Sequence, residues 1–178
     1  MESGAPTVEA IKNAIRDVPD FPKPGIIFKD ITPLLQSPNL LDASMKELAA
    51  PYRDAGIEAV VGIDARGFIF ATGVALELGA GFVPVRKAGK LPYETIEADY
   101  ELEYGSSRVA IHKDALRPGA KIALVDDLLA TGGTSAAAIR LLETLDAEIV
   151  GISFLIELGF LGGRERFANH PIHSLIQY

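Results

Sequence analysis

Two adjacent acidic residues and a glycine-rich turn share a 13-residue segment that could bind a sugar phosphate. Residues 122–134 read Ile-Ala-Leu-Val-Asp-Asp-Leu-Leu-Ala-Thr-Gly-Gly-Thr, which predicts a strand, a short loop and a helix that begins at Thr134. The backbone N–H groups and dipole of a helix N-terminus bind phosphate without a lysine. The Asp126 and Asp127 carboxylates can accept hydrogen bonds from vicinal hydroxyls. The segment therefore predicts a ribose 5-phosphate site; the alternative is an acidic strand end followed by a tight capping turn.

A second candidate anion site lies at residues 64–67, which read Asp-Ala-Arg-Gly and lead into a predicted helix. This loop would offer backbone N–H groups, and Arg66 would add a bidentate donor. Arg86, Lys87 and Lys90 place three further cations within five residues, with no acid between them. On charge alone, Arg66 could be a surface cation near a helix start, and the other three a solvated basic turn.

Short apolar runs alternate with helical patterns along the chain, which is typical of an open α/β sheet. Near-continuous apolar strands are buried on both faces, as in a parallel sheet, and ligands bind at the carboxyl ends of such strands. The predicted strands are 59–63, 82–86, 121–125 and 149–156, and the predicted helices are about 39–55, 67–79 and 134–146.

Two regions interrupt this alternation. The five prolines of residues 18–38 predict an extended, turn-rich lead-in rather than a helix. Residues 87–106 are too long for a simple connection. Apolar and acidic residues alternate at 99–104, and a second alternating run follows at 108–112. The pattern predicts a β-ribbon flap that stands off the sheet.

Composition limits the classes of protein that fit. The length of 178 residues suits one domain. The formal net charge of −7 disfavours binding to nucleic acid or an anionic membrane. The absence of cysteine excludes disulfides and thiolate chemistry. Residues 67–85 are apolar enough to suggest a membrane span, but their glycines, Pro84 and Glu77 favour a helix followed by a strand. We expect no secretory signal and a cytoplasmic location.

The 122–134 segment resembles the phosphoribosyl-diphosphate (PRPP) signature of type I phosphoribosyltransferases. Segments 21–31, 62–68, 86–92 and 102–105 resemble the members of that family that act on adenine. The resemblance implies an open, mainly parallel α/β sheet flanked by helices, with a β-ribbon flap and a small hood. It implies one domain over residues 1–178, in which the hood covers about 1–35 and 155–178, the core about 36–154 and the flap about 87–112.

The same resemblance implies an enzyme of purine salvage. It would transfer the 5-phosphoribosyl group from PRPP to adenine, giving AMP and diphosphate, with inversion at C1′ through an oxocarbenium-like transition state. Mg²⁺ would arrive bound to PRPP, with no direct protein ligand and with Asp126 or Asp127 acting through water at most. A homodimer is also expected.

The resemblance assigns roles to individual residues. The ribose and phosphate would be bound by Asp126, Asp127, Ala130, Thr131, Gly132, Gly133 and Thr134. Diphosphate would be bound by Asp64, Ala65, Arg66, Arg86, Lys87, Lys90 and Tyr104. Adenine would be bound by main-chain groups of Ile27 and Lys29, by the Phe28 ring and by Leu158. Glu103 would be catalytic, handling the proton at N7 or N9 of the purine.

Other interpretations remain open at this stage. Glu103 could be the solvent-facing residue of an alternating strand, and Phe28 and Leu158 could be ordinary core residues. A transferase for another base would share the 122–134 segment but would need different groups around 26–30. A purine-responsive regulator that binds PRPP without turnover would need a DNA-binding module or basic arm, which the acidic composition disfavours.

Overall fold

The computed structural model describes residues 6–101 and 106–178. Its strands are β1 (Arg16–Pro19), β2 (Ile27–Asp30), β3 (Ala59–Ile63), β4 (Gly81–Lys87), β5 (Thr95–Glu101), β6 (Ser106–His112), β7 (Lys121–Leu129), β8 (Glu148–Glu157) and β9 (Ile172–Gln177). Its helices are α1 (Val8–Asn13), α2 (Thr32–Leu35), α3 (Pro38–Ala49), α4 (Gly67–Leu78) and α5 (Gly133–Thr144). Three 3-10 turns span Ala50–Tyr52, Gly159–Leu161 and Gly163–Phe167.

Seven strands form one mixed sheet in the order β5-β6-β4-β3-β7-β8-β9, and β1 pairs with β2 in a separate antiparallel sheet. The strands from β4 to β9 in this order are mutually parallel, whereas β6 is antiparallel to both β4 and β5. The predicted open, mainly parallel sheet is therefore confirmed.

Successive residues of the central strands pack into different hydrophobic clusters, as the alternation of side chains across a sheet requires. Val60 belongs to a cluster with residues of α3 and α4, while Val61 belongs to a cluster with residues of α5. A Cβ atom on Gly62 would lie 2.7 Å from the Cβ of Ala71 in α4. Glycine at this position therefore allows α4 to lie close against the sheet.

The predicted helices form, with shifted ends. The helix predicted over 39–55 ends at Ala49, because Pro51 has no N–H group for a helical hydrogen bond and the chain continues as a 3-10 turn. The lead-in is extended at β1 and β2, as predicted, but α2 is a short helix that the prolines were expected to exclude. Pro33 lies in its first turn, where proline is tolerated.

The predicted ribbon is present as β5 and β6, which pair from Thr95 with His112 to Glu101 with Ser106. The expectation that it stands off the sheet is wrong at its base, where Arg86 and Lys87 of β4 pair with β6. Part of the ribbon therefore extends the main sheet. Glu103 and Tyr104 lie outside the described residues.

Residues 67–85, which could have suggested a membrane span, form α4 and most of β4. Within the part of the chain that the structure describes, no helix has the length and apolar character needed to cross a membrane.

Candidate active site

A cleft of about 320 Å³ opens at the carboxyl ends of the neighbouring parallel strands β3 and β7. Because parallel strands end at the same edge of the sheet, the loop after β3 meets the loop after β7. Ten predicted site residues line it, namely Asp64, Ala65, Arg66, Asp126, Asp127, Ala130, Thr131, Gly132, Gly133 and Thr134, together with the unpredicted Ile63, Leu128 and Ser135. The structure thus brings the two predicted anion sites into one cleft.

The two acidic residues lie within β7, not after it. The strand was predicted to end at residue 125, but it continues to Leu129 because β8 is long enough to pair along it, as far as Leu129 with Glu157. Asp127 is only 6% exposed. A Cβ atom on Gly67 would lie 2.5 Å from Oδ1 of Asp126, so glycine at the start of α4 leaves room for this carboxylate.

The phosphate loop, residues 130–134, turns sharply into α5. Gly132 is left-handed, with φ of 78°, and precedes the helix, which begins at Gly133 rather than at the predicted Thr134. A Cβ atom on Gly132 would lie 2.7 Å from the Gly163 carbonyl oxygen, so this turn requires glycine on two counts. The first N–H groups of a helix have no intrahelical acceptor, which leaves those of α5 available to a bound anion.

Arg66 connects the two loops. Its Nε atom lies 2.8 Å from Oδ2 of Asp127, and its guanidinium carbon lies 5.3 Å from the centre of the Phe28 ring. Arg66 is therefore a paired residue of the cleft and not an isolated surface cation. The loop also contains a cis peptide bond between Asp64 and Ala65.

The other predicted cations differ in their placement. Arg86 donates from Nε to Asp64 at 3.0 Å, and so lies beside the first loop. It also donates to the backbone carbonyl of Lys90 at 3.2 Å. Lys87 and Lys90 are exposed and do not line the cleft.

The predicted adenine-binding residues lie outside the lining of the cleft. Ile27 is 56% exposed, and the Phe28 ring meets that of Phe21 edge to face at 5.2 Å. The Lys29 ammonium is held by Asp17 at 2.6 Å and lies 3.7 Å from the centre of the Tyr178 ring. Because the Lys29 ammonium already contacts Asp17 and Tyr178, a base would bind to the backbone N–H and carbonyl groups of Lys29 rather than to its side chain.

Leu158 directly follows β8, and its N–H donates to the Leu129 carbonyl at 2.9 Å. It packs, partly buried, against the hydrophobic cluster on the α3 and α4 face of the sheet. Leu158 therefore has the core role that the sequence left open as an alternative. Because it is only partly buried, its exposed surface is also available to a base.

Burial dominates the electrostatics of the acidic pair. It raises the pKa of Asp126 well above the usual range, and the neighbouring Asp127 charge adds to the rise. Burial also raises the pKa of Asp127, but the Arg66 guanidinium opposes this shift. In their ionised form the two carboxylates therefore lower the free energy of unfolding, as expected of groups that serve binding and not stability.

We expect Asp126→Asn to raise thermal stability at neutral pH. A carboxyl whose pKa is raised on folding supports the folded state below its unfolded pKa of about 3.9 and loses that support as the pH rises. The Tm of the variant should match that of the unmodified chain near pH 4 and exceed it at pH 7.5. The expected gain is a few degrees, since about 1 kcal/mol corresponds to about 3 °C in a chain of this size. Calorimetry across this range would contradict the assignment if the variant were less stable at pH 7.5.

Comparison with known proteins agrees with this geometry. The model of the phosphoribosyl transferase domain family matches residues 30–166. An adenine phosphoribosyltransferase of Rhodopirellula baltica is 54% identical over 94% of this chain and 82% of its own length. One from Nitrosococcus oceani is 53% identical over 96% of this chain and all of its own length.

Solved structures give the same result. The crystal structure of adenine phosphoribosyltransferase from Thermoanaerobacter pseudethanolicus has a TM-score of 0.93 and 48% identity, covering 97% of this chain and all of the other. The enzyme from Saccharomyces cerevisiae, solved with an imino-altritol bisphosphate and adenine, has a TM-score of 0.90 and 42% identity, covering 94% of this chain and 97% of the other.

An open α/β sheet whose carboxyl edge carries a cleft lined by the two predicted anion sites, together with the match of the family model over most of the chain, defines a phosphoribosyltransferase. Within that class, the chain belongs to the adenine phosphoribosyltransferase family, whose members it matches over nearly its whole length.

Proposed function

We propose that this protein transfers the 5-phosphoribosyl group of PRPP to adenine, giving AMP and diphosphate in purine salvage. The observation that carries the proposal is the single cleft in which the acidic pair of β7 lies between two loops that each lead into a helix. Anions bind at such helix starts, and ionised carboxylates accept hydrogen bonds from ribose hydroxyls. The adenine held by the yeast relative supports the choice of base.

The geometry suggests how PRPP would enter. The 5-phosphate would bind the phosphate loop, and the diphosphate would bind the N–H groups of residues 64–67. A diphosphate there competes with Asp127 for the Arg66 guanidinium, which now lies 2.8 Å from that carboxylate. Once Arg66 turns to the diphosphate, Asp127 is free to accept a ribose hydroxyl. Arg86, next to Asp64, would add positive charge on the same side.

The reaction then requires adenine N9 to approach C1′ from the face opposite the departing diphosphate, with inversion through an oxocarbenium-like transition state. Orientation, stabilisation of charge and exclusion of water are the main tasks of the protein. We propose that main-chain groups of Ile27 and Lys29, the Phe28 ring and Leu158 hold the base. We propose that Glu103 handles the purine proton, and that Tyr104 contacts the ribose or diphosphate.

We propose that magnesium reaches this site bound to the substrate. Mg²⁺ prefers oxygen ligands, keeps several waters and commonly binds through substrate phosphates. Among residues 6–101 and 106–178, no cluster of three or more acidic or histidine side chains could hold a metal ion. Asp126 and Asp127 could contact the ion through water. When bound, the ion would neutralise part of the diphosphate charge.

Because PRPP is multiply charged and does not cross a bilayer unaided, we propose a cytoplasmic location.

Turnover with four bases tests the proposal. With PRPP and Mg²⁺ present, we expect AMP from adenine and little product from hypoxanthine, guanine or xanthine. Activity confined to a 6-oxopurine would favour a transferase for another base. Tight binding of PRPP without any nucleotide product would favour the regulator considered above.

We further propose a homodimer that forms through α4. Ile69, Thr72 and Leu76 are exposed on this helix and, at spacings of three and four, share one face. Leu76 is 79% exposed, which is unusual for a large apolar side chain in a helix that is otherwise largely buried. Exposed apolar faces of this kind mark interfaces between proteins.

Leu76→Glu is expected to convert the dimer to a monomer, because it would bury an unpaired charge in the interface. Sedimentation velocity at micromolar concentration measures the change directly. Val8→Glu, which introduces the same charge at an exposed apolar residue of α1, is the matched control and should remain dimeric. A Leu76→Glu variant that stays dimeric would show that the interface lies elsewhere.

A further inference from the structure

Glu157 is a buried carboxylate that the proposed mechanism does not use. It ends β8 and is 5% exposed. Arg164 donates to it from two nitrogens, at 3.0 and 2.6 Å, and the Ser174 hydroxyl donates to it at 2.5 Å. The Arg164 guanidinium lowers the pKa of Glu157 below its usual range, so the carboxylate is ionised at neutral pH. This ion pair, whose arginine side chain is 40% exposed, fixes the two residues that flank residues 158–163 relative to each other.

The segment between these two residues, 158–163, is attached to the sheet at its first residues. The Leu158 N–H donates to the carbonyl of Leu129, the last residue of β7, at 2.9 Å. The Gly159 N–H donates to the Tyr178 carbonyl at 3.0 Å, and the Tyr178 N–H donates back to the Glu157 carbonyl at 3.0 Å. Leu158, the proposed cover of the base, thus follows directly from the anchored Glu157.

The other end of the segment lies against the phosphate loop. A Cβ atom on Gly163 would lie 2.2 Å from the Ala130 carbonyl oxygen and 3.0 Å from the Gly132 nitrogen. No side chain fits between them without displacing backbone. Arg164 immediately follows this contact, so its ion pair with Glu157 lies directly beside it.

We propose that Glu157 and Arg164 are positioning residues, whose ion pair sets Leu158 for the base and Gly163 for the phosphate loop at the same time. The inference rests on the proposed function, because it assigns these two contacts to the adenine and PRPP sites. Loss of the pair would remove the two charge-assisted hydrogen bonds from Arg164 and loosen segment 158–163.

The test compares Glu157→Gln and Arg164→Lys with a matched pair on the surface. Glu58 and Arg117 form a similar two-nitrogen ion pair, at 2.6 and 3.0 Å, outside the cleft. For Glu157→Gln we expect KM for both adenine and PRPP to rise about tenfold, with kcat changed less than about threefold, in line with the loss of a charge-assisted hydrogen bond. Arg164→Lys, which keeps the charge but not the two-nitrogen contact, should give a smaller rise in both constants. Glu58→Gln should leave both unchanged.

A merely structural role predicts a different result, namely a lower Tm with both KM values unchanged, and that result would overturn the inference. If Glu157→Gln does not fold, Arg164→Lys decides alone, and unchanged KM values for it would overturn the inference. Amide hydrogen exchange gives a readout independent of activity: exchange should rise in residues 130–133 and 158–163 of the Glu157→Gln variant. If the unmodified protein forms no AMP, the proposed function is wrong. If it forms AMP but the variants have unchanged KM values for adenine and PRPP, only this inference is wrong.

Discussion

Asp127→Asn is expected to lower kcat/KM for PRPP about a hundredfold. The substitution keeps the shape of the side chain but removes the charge that pairs with Arg66 and that would accept a ribose hydroxyl. The amide also turns an N–H₂ group toward one of these donors. Hydrogen bonds to charged groups contribute about 1.5–3 kcal/mol each, so the loss of one or two corresponds to a change of about this size. Initial rates over a range of PRPP concentrations, with adenine saturating, measure it.

Asp42→Asn is the control for this substitution. Asp42 forms a surface ion pair with Lys46 on α3, at 2.9 Å. Exposed pairs of this kind contribute little to stability, so its kcat/KM should stay within about twofold of the unmodified value. An Asp127→Asn variant that behaved like this control would remove Asp127 from the PRPP site.

Glu103→Gln is expected to lower kcat about a hundredfold or more, with a much smaller change in KM for adenine and PRPP. General acid–base catalysis by a positioned carboxylate contributes about 10²–10⁴-fold, and glutamine can still donate and accept hydrogen bonds but cannot exchange the proton. Steady-state rates with both substrates saturating measure kcat, and a flatter dependence of kcat on pH should accompany the loss.

Glu101→Gln provides the comparison, since Glu101 lies two residues earlier in the same acidic alternation and is exposed at the end of β5. It should retain kcat within about twofold. If Glu103→Gln and the unmodified protein had equal kcat values, Glu103 would not be catalytic, and the alternative of a solvent-facing residue in an alternating strand would be favoured.

Local sequence patterns predicted the central part of the fold and of the site. The apolar run of β3 and the run that begins β7 mark buried parallel strands, and the residues that follow such strands must meet at one edge of the sheet. These patterns indicated each anion site separately, and the resemblance to phosphoribosyltransferases implied that Arg66, Asp127 and the phosphate loop bind one substrate, as their shared cleft supports. The position of Gly132 before a helix likewise follows from local backbone chemistry.

Contacts between segments far apart in the sequence could not be predicted. The strand end at Leu129 depends on pairing with β8, and the close approach of Gly163 to Ala130 joins two loops that are separate in the sequence. Neither leaves a periodic or compositional signal near the residues concerned. The short elements α1 and β9 were missed for a related reason: β9 is an edge strand with a mixed pattern, and its place is set by pairing with β8.

The most direct test of the proposed function is ³¹P NMR of the purified protein with PRPP, Mg²⁺ and adenine. We predict that AMP and diphosphate appear in equal amounts, that PRPP disappears at the same rate, and that no diphosphate forms when adenine is omitted. Release of diphosphate at the same rate with and without adenine, and without AMP, would show hydrolysis of PRPP and contradict the proposed transfer.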